Sequence, residues 1–182
     1  MNLNEGNNFT IFDFDDNLEQ SVILPLIDET KRQAKLKDGS INLWINSYGG
    51  YRHLVFQIIS LVEMAKRNGV VVRTIVNDIA YSAGSILAVT GSPGERYIER
   101  TAEHLCHYGF TGSNESTPAQ VERNYAQKNE GFKKILNHYK KYTDIPDIEM
   151  AMNDDSFYIP AAKCIRYGLA DKYLDKLELE KL

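Results

Sequence analysis

The chain has 182 residues and a formal net charge of −4, with 43% hydrophobic and 25% charged residues. This profile fits one ordinary globular domain, and the mild negative charge argues against nucleic acid or an acidic membrane as the main partner. The sequence contains no apolar run of membrane-spanning length and no signal-peptide pattern. Its two cysteines, Cys106 and Cys164, form no C-x-x-C motif. We therefore expect a cytoplasmic protein with neither a disulfide framework nor a zinc site.

Strands and helices alternate along the predicted chain. In chain order, the pattern predicts a strand at residues 9–14, a helix at 18–36, a strand at 41–45, a helix at 53–65, a strand at 70–76, a helix from 82 to about 90, short strands at 96–98 and 104–108, a long helix at 117–142, a helix at 148–152, an extended piece at 157–158 and a helix at 161–167. This alternation, without an internal repeat, predicts a single α/β domain over residues 1–182. Residues 1–8 are polar and are expected to be poorly ordered.

Three local signals refine this prediction. Pro25 conflicts with an uninterrupted first helix, which must therefore kink or begin later. Residues 46–50, N-S-Y-G-G, are interpreted as a tight glycine-rich turn after the second strand. Thr117 and Gln120 form a capping box at the start of the longest helix. We interpret the apolar positions of that helix as core, while its length leaves open that it projects to contact another subunit.

Ser82 is the first candidate for chemistry. It lies in I-A-Y-S-A-G-S-I-L (79–87), between a predicted strand and a predicted helix, with small neighbours at Ala80 and Gly84. A serine nucleophile often occupies such a turn, and the free N–H groups of a helix start can hold an oxyanion. A serine in this place can also be a simple N-cap. The motif alone leaves both interpretations open.

The histidines offer one possible base. His104 and His107 are three residues apart on one predicted strand, so at most one of them can face Ser82. His53 and His138 are interpreted as structural or merely exposed side chains. The sequence alone does not choose between His104 and His107.

An acidic pair and a glycine pair complete the candidates. Asp154 and Asp155 precede an extended piece, where a carboxylate can serve a turn, a cap or a reaction. Gly49 and Gly50 follow a strand. They either supply the positive φ of a turn or let the backbone approach a ligand closely.

Together these residues resemble the proteolytic subunit of the Clp protease. The motifs are I-N-S-Y-G-G (45–50), A-Y-S-A-G (80–84), L-C-H (105–107), D-S-F-Y (155–158) and Y-G-L-A-D (167–171), in the order of the family. The resemblance implies a ClpP/crotonase-like superhelix of strand–strand–helix units with a long protruding helix. It also implies two stacked heptameric rings, a tetradecamer, in which helix 117–142 makes ring or inter-ring contacts.

The resemblance also assigns roles. Ser82 falls on the nucleophile, His107 on the general base and Asp155 on the carboxylate that orients the imidazole. Gly50 and Ala83 fall on the positions whose backbone N–H groups form the oxyanion hole. The implied activity is that of a serine endopeptidase that cleaves unfolded proteins or peptides and needs no metal or organic cofactor.

The sequence departs from the family pattern in several places. Tyr48 stands where proline is usual, and Ala83 replaces the methionine after the serine. One extra residue lies between Asp155 and Ala161, which makes Asp154 an alternative third member of the triad. Only residues 1–8 stand where the family has a helix and an axial loop, so we expect a wide or unstructured pore and weak coupling to an AAA+ unfoldase partner.

Two other functions stay open at this point. A catalytically weak, ring-forming scaffold subunit of a Clp-type complex would keep the fold without the activity, although intact Ser82 and His107 argue against it. A crotonase-like acyl-CoA enzyme would need the oxyanion hole but neither Ser82 nor His107.

Overall fold

The computed structural model describes residues 7–108, 118–153 and 157–176, and in the longest helix it describes the side chains from residue 129 onward. The strands are β1 (Asn8–Phe14), β2 (Ser40–Gly50), β3 (Val71–Tyr81), β4 (Arg96–Ile98), β5 (Glu103–Leu105), β6 (Tyr158–Pro160) and β7 (Lys172–Tyr173). The helices are α1 (Leu24–Gln33), α2 (Arg52–Arg67), α3 (Ala83–Ala88), α4 (Pro118–Tyr142), α5 (Ile148–Ala151) and α6 (Ala161–Arg166). A π-helical turn, Glu19–Ile23, precedes α1, and a 3-10 turn, Leu174–Lys176, follows β7.

The strands form one sheet in the order β1-β2-β3-β4-β7, in which every neighbouring pair is parallel. One edge of β3 is taken by β2, and the other edge pairs first with β4 and then with β5. The antiparallel pair β5–β6 extends the sheet from this point. Parallel strands joined by helices are the pattern that the alternation predicts, and the predicted α/β class is confirmed.

The core lies where the first three helices meet the central strands. α1, α2 and α3 contact β2 or β3. α2 buries one apolar stripe, as its helical period predicts, and β2 and β3 are buried along most of their length. The sheet is covered by helices because parallel strands with apolar residues on both faces must be shielded from water.

The predicted first helix is divided in two. Regular α-helix begins at Leu24, so that Pro25 stands in the first turn, where its missing N–H has no helical partner to lose. The π-helical turn occupies the part of the predicted helix that precedes it. Of the two outcomes that Pro25 allowed, the later start is the one observed.

Residues 46–50 are not a tight turn. They continue β2, because Asp13 and Phe14 of β1 pair with Gly49 and Gly50, while Ser47 pairs with Ala80 of β3. Both ladders shift register here, and the two glycines adopt φ values of 109° and 133°. The segment stays extended because it finds hydrogen-bonding partners on both sides, which its composition could not reveal.

The long helix has the predicted extent, Pro118–Tyr142. Ile135, Leu136 and Tyr139 are buried, as expected of core positions. Val121 and Tyr125, two further apolar positions of the predicted helix, lie outside the described side chains. Among the helices that the structure describes, none combines the length and the apolar character needed to cross a bilayer.

Candidate active site

Ser82 occupies the junction between β3 and α3 with an unusual backbone conformation. Its φ is 52° and its ψ is −116°. A non-glycine residue with positive φ is strained by about 1–3 kcal/mol, and such strain persists only where the surroundings impose it. Here the Ser82 N–H donates to Leu105 O at 2.9 Å, and the Ser82 carbonyl accepts from Ile86 N–H at 3.0 Å. Among the described residues the Ser82 side chain makes no capping hydrogen bond, so the N-cap interpretation has no support.

Small residues let two other segments approach this turn. A Cβ on Gly49 would lie 2.8 Å from Ser82 Cβ, and a Cβ on Gly84 would lie 3.0 Å from Ser47 Cβ. Real Cβ atoms do not come so close without displacement. The end of β2 therefore runs directly beside the serine, with Gly49 next to Ser82 Cβ.

The serine opens into a cavity of about 610 Å³, a size typical of ligand sites. Four of the candidate residues line it together: Gly50, Ser82, Ala83 and His107. The walls are mainly aromatic and aliphatic, and are formed by Tyr48, Tyr51, Ile86, Leu105, Tyr108 and Ile135. Arg52 and His53 complete the rim. The fold thus brings a hydroxyl, an imidazole and the backbone of two adjacent segments to one space.

Of the two candidate bases, His104 and His107, His107 is the one that lines this cavity together with the serine. It lies two residues beyond the end of β5, and only 8% of it is exposed. His104 is not among the residues that line the cavity. It is fully buried, with Nδ1 2.9 Å from the Ser85 hydroxyl. Burial lowers the pKa of His104 to about 3, so this ring is neutral at physiological pH. Cys106 also points into the core, with its sulfur 3.4 Å from the Ser85 hydroxyl.

The other two histidines have different surroundings. His138 on α4 lies with Nε2 2.9 Å from Ile86 O, and its burial lowers the pKa of the imidazole to about 4. It joins two helices, as expected of a structural histidine. His53 is exposed, stacks on Tyr51 with ring centroids 5.7 Å apart and stands at the rim of the cavity. Sequence patterns did not predict the place of His53 at the rim, although its position soon after Gly50 was a usable signal.

Asp155 and its alternative Asp154 lie outside the described residues. The described chain on either side is attached to the segment that carries His107. Tyr108 N–H donates to Met152 O at 3.3 Å, and Leu105 pairs with Tyr158 in the β5–β6 ladder.

Gly50 and Ala83, the two residues expected to supply backbone donors, both line the cavity. Ala83 is the first residue of α3, and its N–H therefore has no partner within the helix. The end of β2 is close by, because a Cβ on Gly49 would lie 3.3 Å from Ala83 N. Within the described parts of the chain, no group of three or more His, Cys, Asp or Glu side chains is arranged to hold a metal ion. The described residues of the cavity offer a hydroxyl, an imidazole and backbone N–H groups, which are types of group that nucleophilic acyl transfer uses.

Comparisons with known proteins identify a family. The family model described as Clp protease matches residues 11–176. The ATP-dependent Clp protease proteolytic subunit of Streptococcus mutans serotype c is 31% identical over 170 residues, which covers 91% of this chain and 83% of the relative. The subunits of the same name from Streptococcus uberis and Streptococcus sanguinis are 28% and 27% identical to this chain. The matched regions cover 83% and 82% of those relatives. The mostly parallel sheet and the helices around it are consistent with this family's fold.

Proposed function

The chain belongs to the Clp protease family, and this membership implies a peptidase. We propose that the protein is a serine endopeptidase. Its substrates are the peptide bonds of unfolded proteins or peptides. Ser82 is the nucleophile, His107 the general base and Asp155 the carboxylate that orients the imidazole. The backbone N–H groups of Gly50 and Ala83 form the oxyanion hole.

The observation that carries this proposal is the strained turn at Ser82. Ser82 has a φ of 52° and its side chain makes no capping hydrogen bond to α3, so capping does not explain this conformation. A strained strand-to-helix turn does serve a nucleophile, because it presents the hydroxyl at the surface and directs the following N–H groups toward the same point. The turn opens into a cavity that also contains His107.

The reaction follows from these positions. His107 accepts the proton of Ser82 as the hydroxyl oxygen attacks the substrate carbonyl, and returns it to the leaving amine. The N–H groups of Gly50 and Ala83 stabilise the negative charge on the carbonyl oxygen. Loss of one such donor costs about 10²–10³ in turnover in comparable enzymes. Water then releases the acyl group by the same route.

The place of Asp155 is supported by its neighbours. Tyr108 and Leu105, which stand on either side of His107, pair with Met152 and Tyr158, described residues on the two sides of segment 154–156. A carboxylate in that segment would fix the tautomer of His107 and stabilise its positive charge. We assign this role to Asp155 rather than Asp154.

The assembly is part of the proposal. Membership of the family implies an oligomer and possible association with a Clp ATPase. We propose two stacked heptameric rings, in which α4 contacts neighbouring copies and the active sites face an enclosed chamber. An AAA+ unfoldase is the corresponding candidate partner. Both cysteines are free and buried, which fits the reducing, cytoplasmic setting that we propose.

A serine-directed fluorophosphonate tests the proposal, since it reacts with a serine that a neighbouring base has activated. We expect labelling of the native protein, mapped by mass spectrometry to the peptide that contains Ser82. The His107→Ala variant should lose the label, and Ser21→Ala, a change at an exposed serine of the π-helical turn, should keep it. An assembled native protein that takes up no label would contradict the peptidase proposal and favour a scaffold subunit.

A further inference from the structure

A second cavity, of about 400 Å³, lies beside the cavity of Ser82. We call it the side recess. It lies between α2 and α4 and is lined by Arg52, His53, Phe56, Gln57, Gly131 and Lys134. Arg52 and His53 also line the cavity of Ser82, so the two spaces meet at the first turn of α2.

The guanidinium of Arg52 packs against α4 at Gly131. A Cβ on Gly131 would lie 2.3 Å from Arg52 Nη1 and 2.6 Å from its Cζ. The guanidinium therefore rests directly on the backbone of α4, where no larger residue leaves room for it. Glycine in a helix interior is destabilising relative to alanine, so the close contact with Arg52 gives a reason for its presence at position 131.

No described acidic side chain lines either cavity beside the Arg52 guanidinium. Among the described residues Arg52 makes no ion pair or hydrogen bond, and no described Asp or Glu lines either cavity. The other cation, Lys134, lies with Nζ 3.8 Å from the centre of the Phe56 ring and is already engaged. A half-buried guanidinium has lost part of its water, and the group that best replaces that water is a carboxylate, which accepts two parallel hydrogen bonds.

We propose that Arg52 is a specificity-determining residue that selects an acidic side chain of the substrate close to the scissile bond. This inference rests on the proposed peptidase function of the same cavity. Apolar walls such as Ile86, Leu105 and Ile135 accept the neighbouring substrate residues. The preferred substrates are then unfolded segments in which one Asp or Glu stands among apolar residues.

Internally quenched peptides test the inference. The peptides are identical except for one residue, placed in turn at each position on either side of the scissile bond, which is Glu in one set and Gln in the other. At one position we expect kcat/KM to be about 10- to 100-fold higher for Glu, the effect of one charge-assisted hydrogen-bonding pair. The preference should arise mainly in KM and should shrink with added salt.

Variants identify the residue responsible. In Arg52→Gln the Glu-to-Gln ratio should fall to about one, and Arg52→Glu should favour Lys at that position. Arg67→Gln removes the same charge at the exposed far end of α2 and should keep the ratio of the native protein. Gly131→Ala tests the position of the guanidinium without changing Arg52 itself. It should fold, because it improves the helix, but it displaces the guanidinium and should lower the ratio.

The outcomes are separable. If the native protein cleaves both peptide sets with a Glu-to-Gln ratio of kcat/KM near one at every position, the role of Arg52 is overturned. The proposed peptidase function is then unaffected. An unchanged ratio in Arg52→Gln or Gly131→Ala overturns the role of Arg52 as well. A native protein that cleaves no peptide and takes up no phosphonate contradicts the proposed function, and the inference with it.

Discussion

Ser82 keeps a conformation that few residues other than glycine adopt, and its neighbours hold it there. The hydrogen bonds to Leu105 O and Ile86 N–H fix its backbone from two elements. Gly49 completes the arrangement by leaving space next to the serine Cβ. At this scale, the position of Ser82 depends on backbone groups of Leu105 and Ile86 and on the missing side chain of Gly49.

Gly49→Ala should separate this positioning from general stability. The new Cβ would lie 2.8 Å from Ser82 Cβ and would push the hydroxyl away, so we expect kcat/KM to fall by at least about tenfold. Gly69→Ala is the matched control, since Gly69 also has positive φ, 79°, but no atom lies within 4 Å of its Cβ position. Gly69→Ala should lose about 1–2 kcal/mol of unfolding free energy. Gly49→Ala should lose more, because its Cβ also displaces its neighbours, and only this variant should lose activity. Equal activity in the two variants would contradict the positioning role.

Substitution of Asp155 and substitution of Asp154 should have different effects on turnover. Asp155→Asn favours the wrong tautomer of His107, and the corresponding change costs about 10⁴ in turnover in the chymotrypsin-type enzymes. Asp154→Asn should reduce kcat by less than about tenfold, because the proposed triad uses the Asp155 carboxylate alone to orient the imidazole. Peptide hydrolysis by the two purified variants, with thermal unfolding as the control for folding, decides between them. The reverse order would mean that Asp154 completes the triad.

At the scale of elements, β2 and β3 explain both the success and the failure of sequence-based prediction. The apolar run at 70–76 predicts the first part of β3, but the strand continues to Tyr81 through the polar Asn77 and Asp78. Its last residues are extended because β5 pairs with Ile79, Ala80 and Tyr81. A local pattern cannot report a partner that lies far along the chain, and the same limit explains why residues 46–50 looked like a turn.

α3 and α4 are joined by a histidine that gives the protein a predictable response to pH. Because burial lowers the pKa of His138 to about 4, the folded state stays unprotonated there while the unfolded chain takes up a proton below its ordinary pKa of 6.5. Between pH 6.5 and about 4 the unfolding free energy should therefore decrease as the pH falls, by up to about 1.4 kcal/mol per pH unit for this residue. His104 adds to the same slope.

Urea unfolding at pH 7, 6 and 5, at one protein concentration, measures this slope. His138→Gln can still donate a hydrogen bond to Ile86 O and should reduce the slope by about one proton. Asn137→Gln, on the exposed side of α4, should keep the slope of the native protein. An undiminished slope in His138→Gln would show that the imidazole is not held neutral between the helices.

At the scale of the whole molecule, the short motifs carry most of the information on the site. They identify Ser82, His107, Gly50 and Ala83, and the fold gathers these four residues at one cavity. The contact between Arg52 and Gly131 could not be predicted, because a glycine in the middle of α4 does not indicate, from the sequence alone, which side chain packs against it. The contact forms only when α2 and α4 pack together.

The assembly should be visible directly. Fourteen copies of a 20.7 kDa chain give a particle of about 290 kDa, and mass photometry of the purified protein should show a main species of that mass. A seven-copy species would still fit a single ring. A protein that stays monomeric at micromolar concentration would contradict the enclosed chamber.

The most direct measurement of the central claim is peptide hydrolysis by native protein and by Ser82→Ala. The substitution removes one oxygen beside small residues and should leave the thermal unfolding midpoint and the particle mass unchanged. We predict hydrolysis by the native protein and a loss of kcat/KM of roughly 10⁴-fold or more in the variant, since the nucleophile acts as a unit with its base. Comparable turnover by the two proteins, both folded and assembled, would contradict the assignment of Ser82 and with it this account of the site.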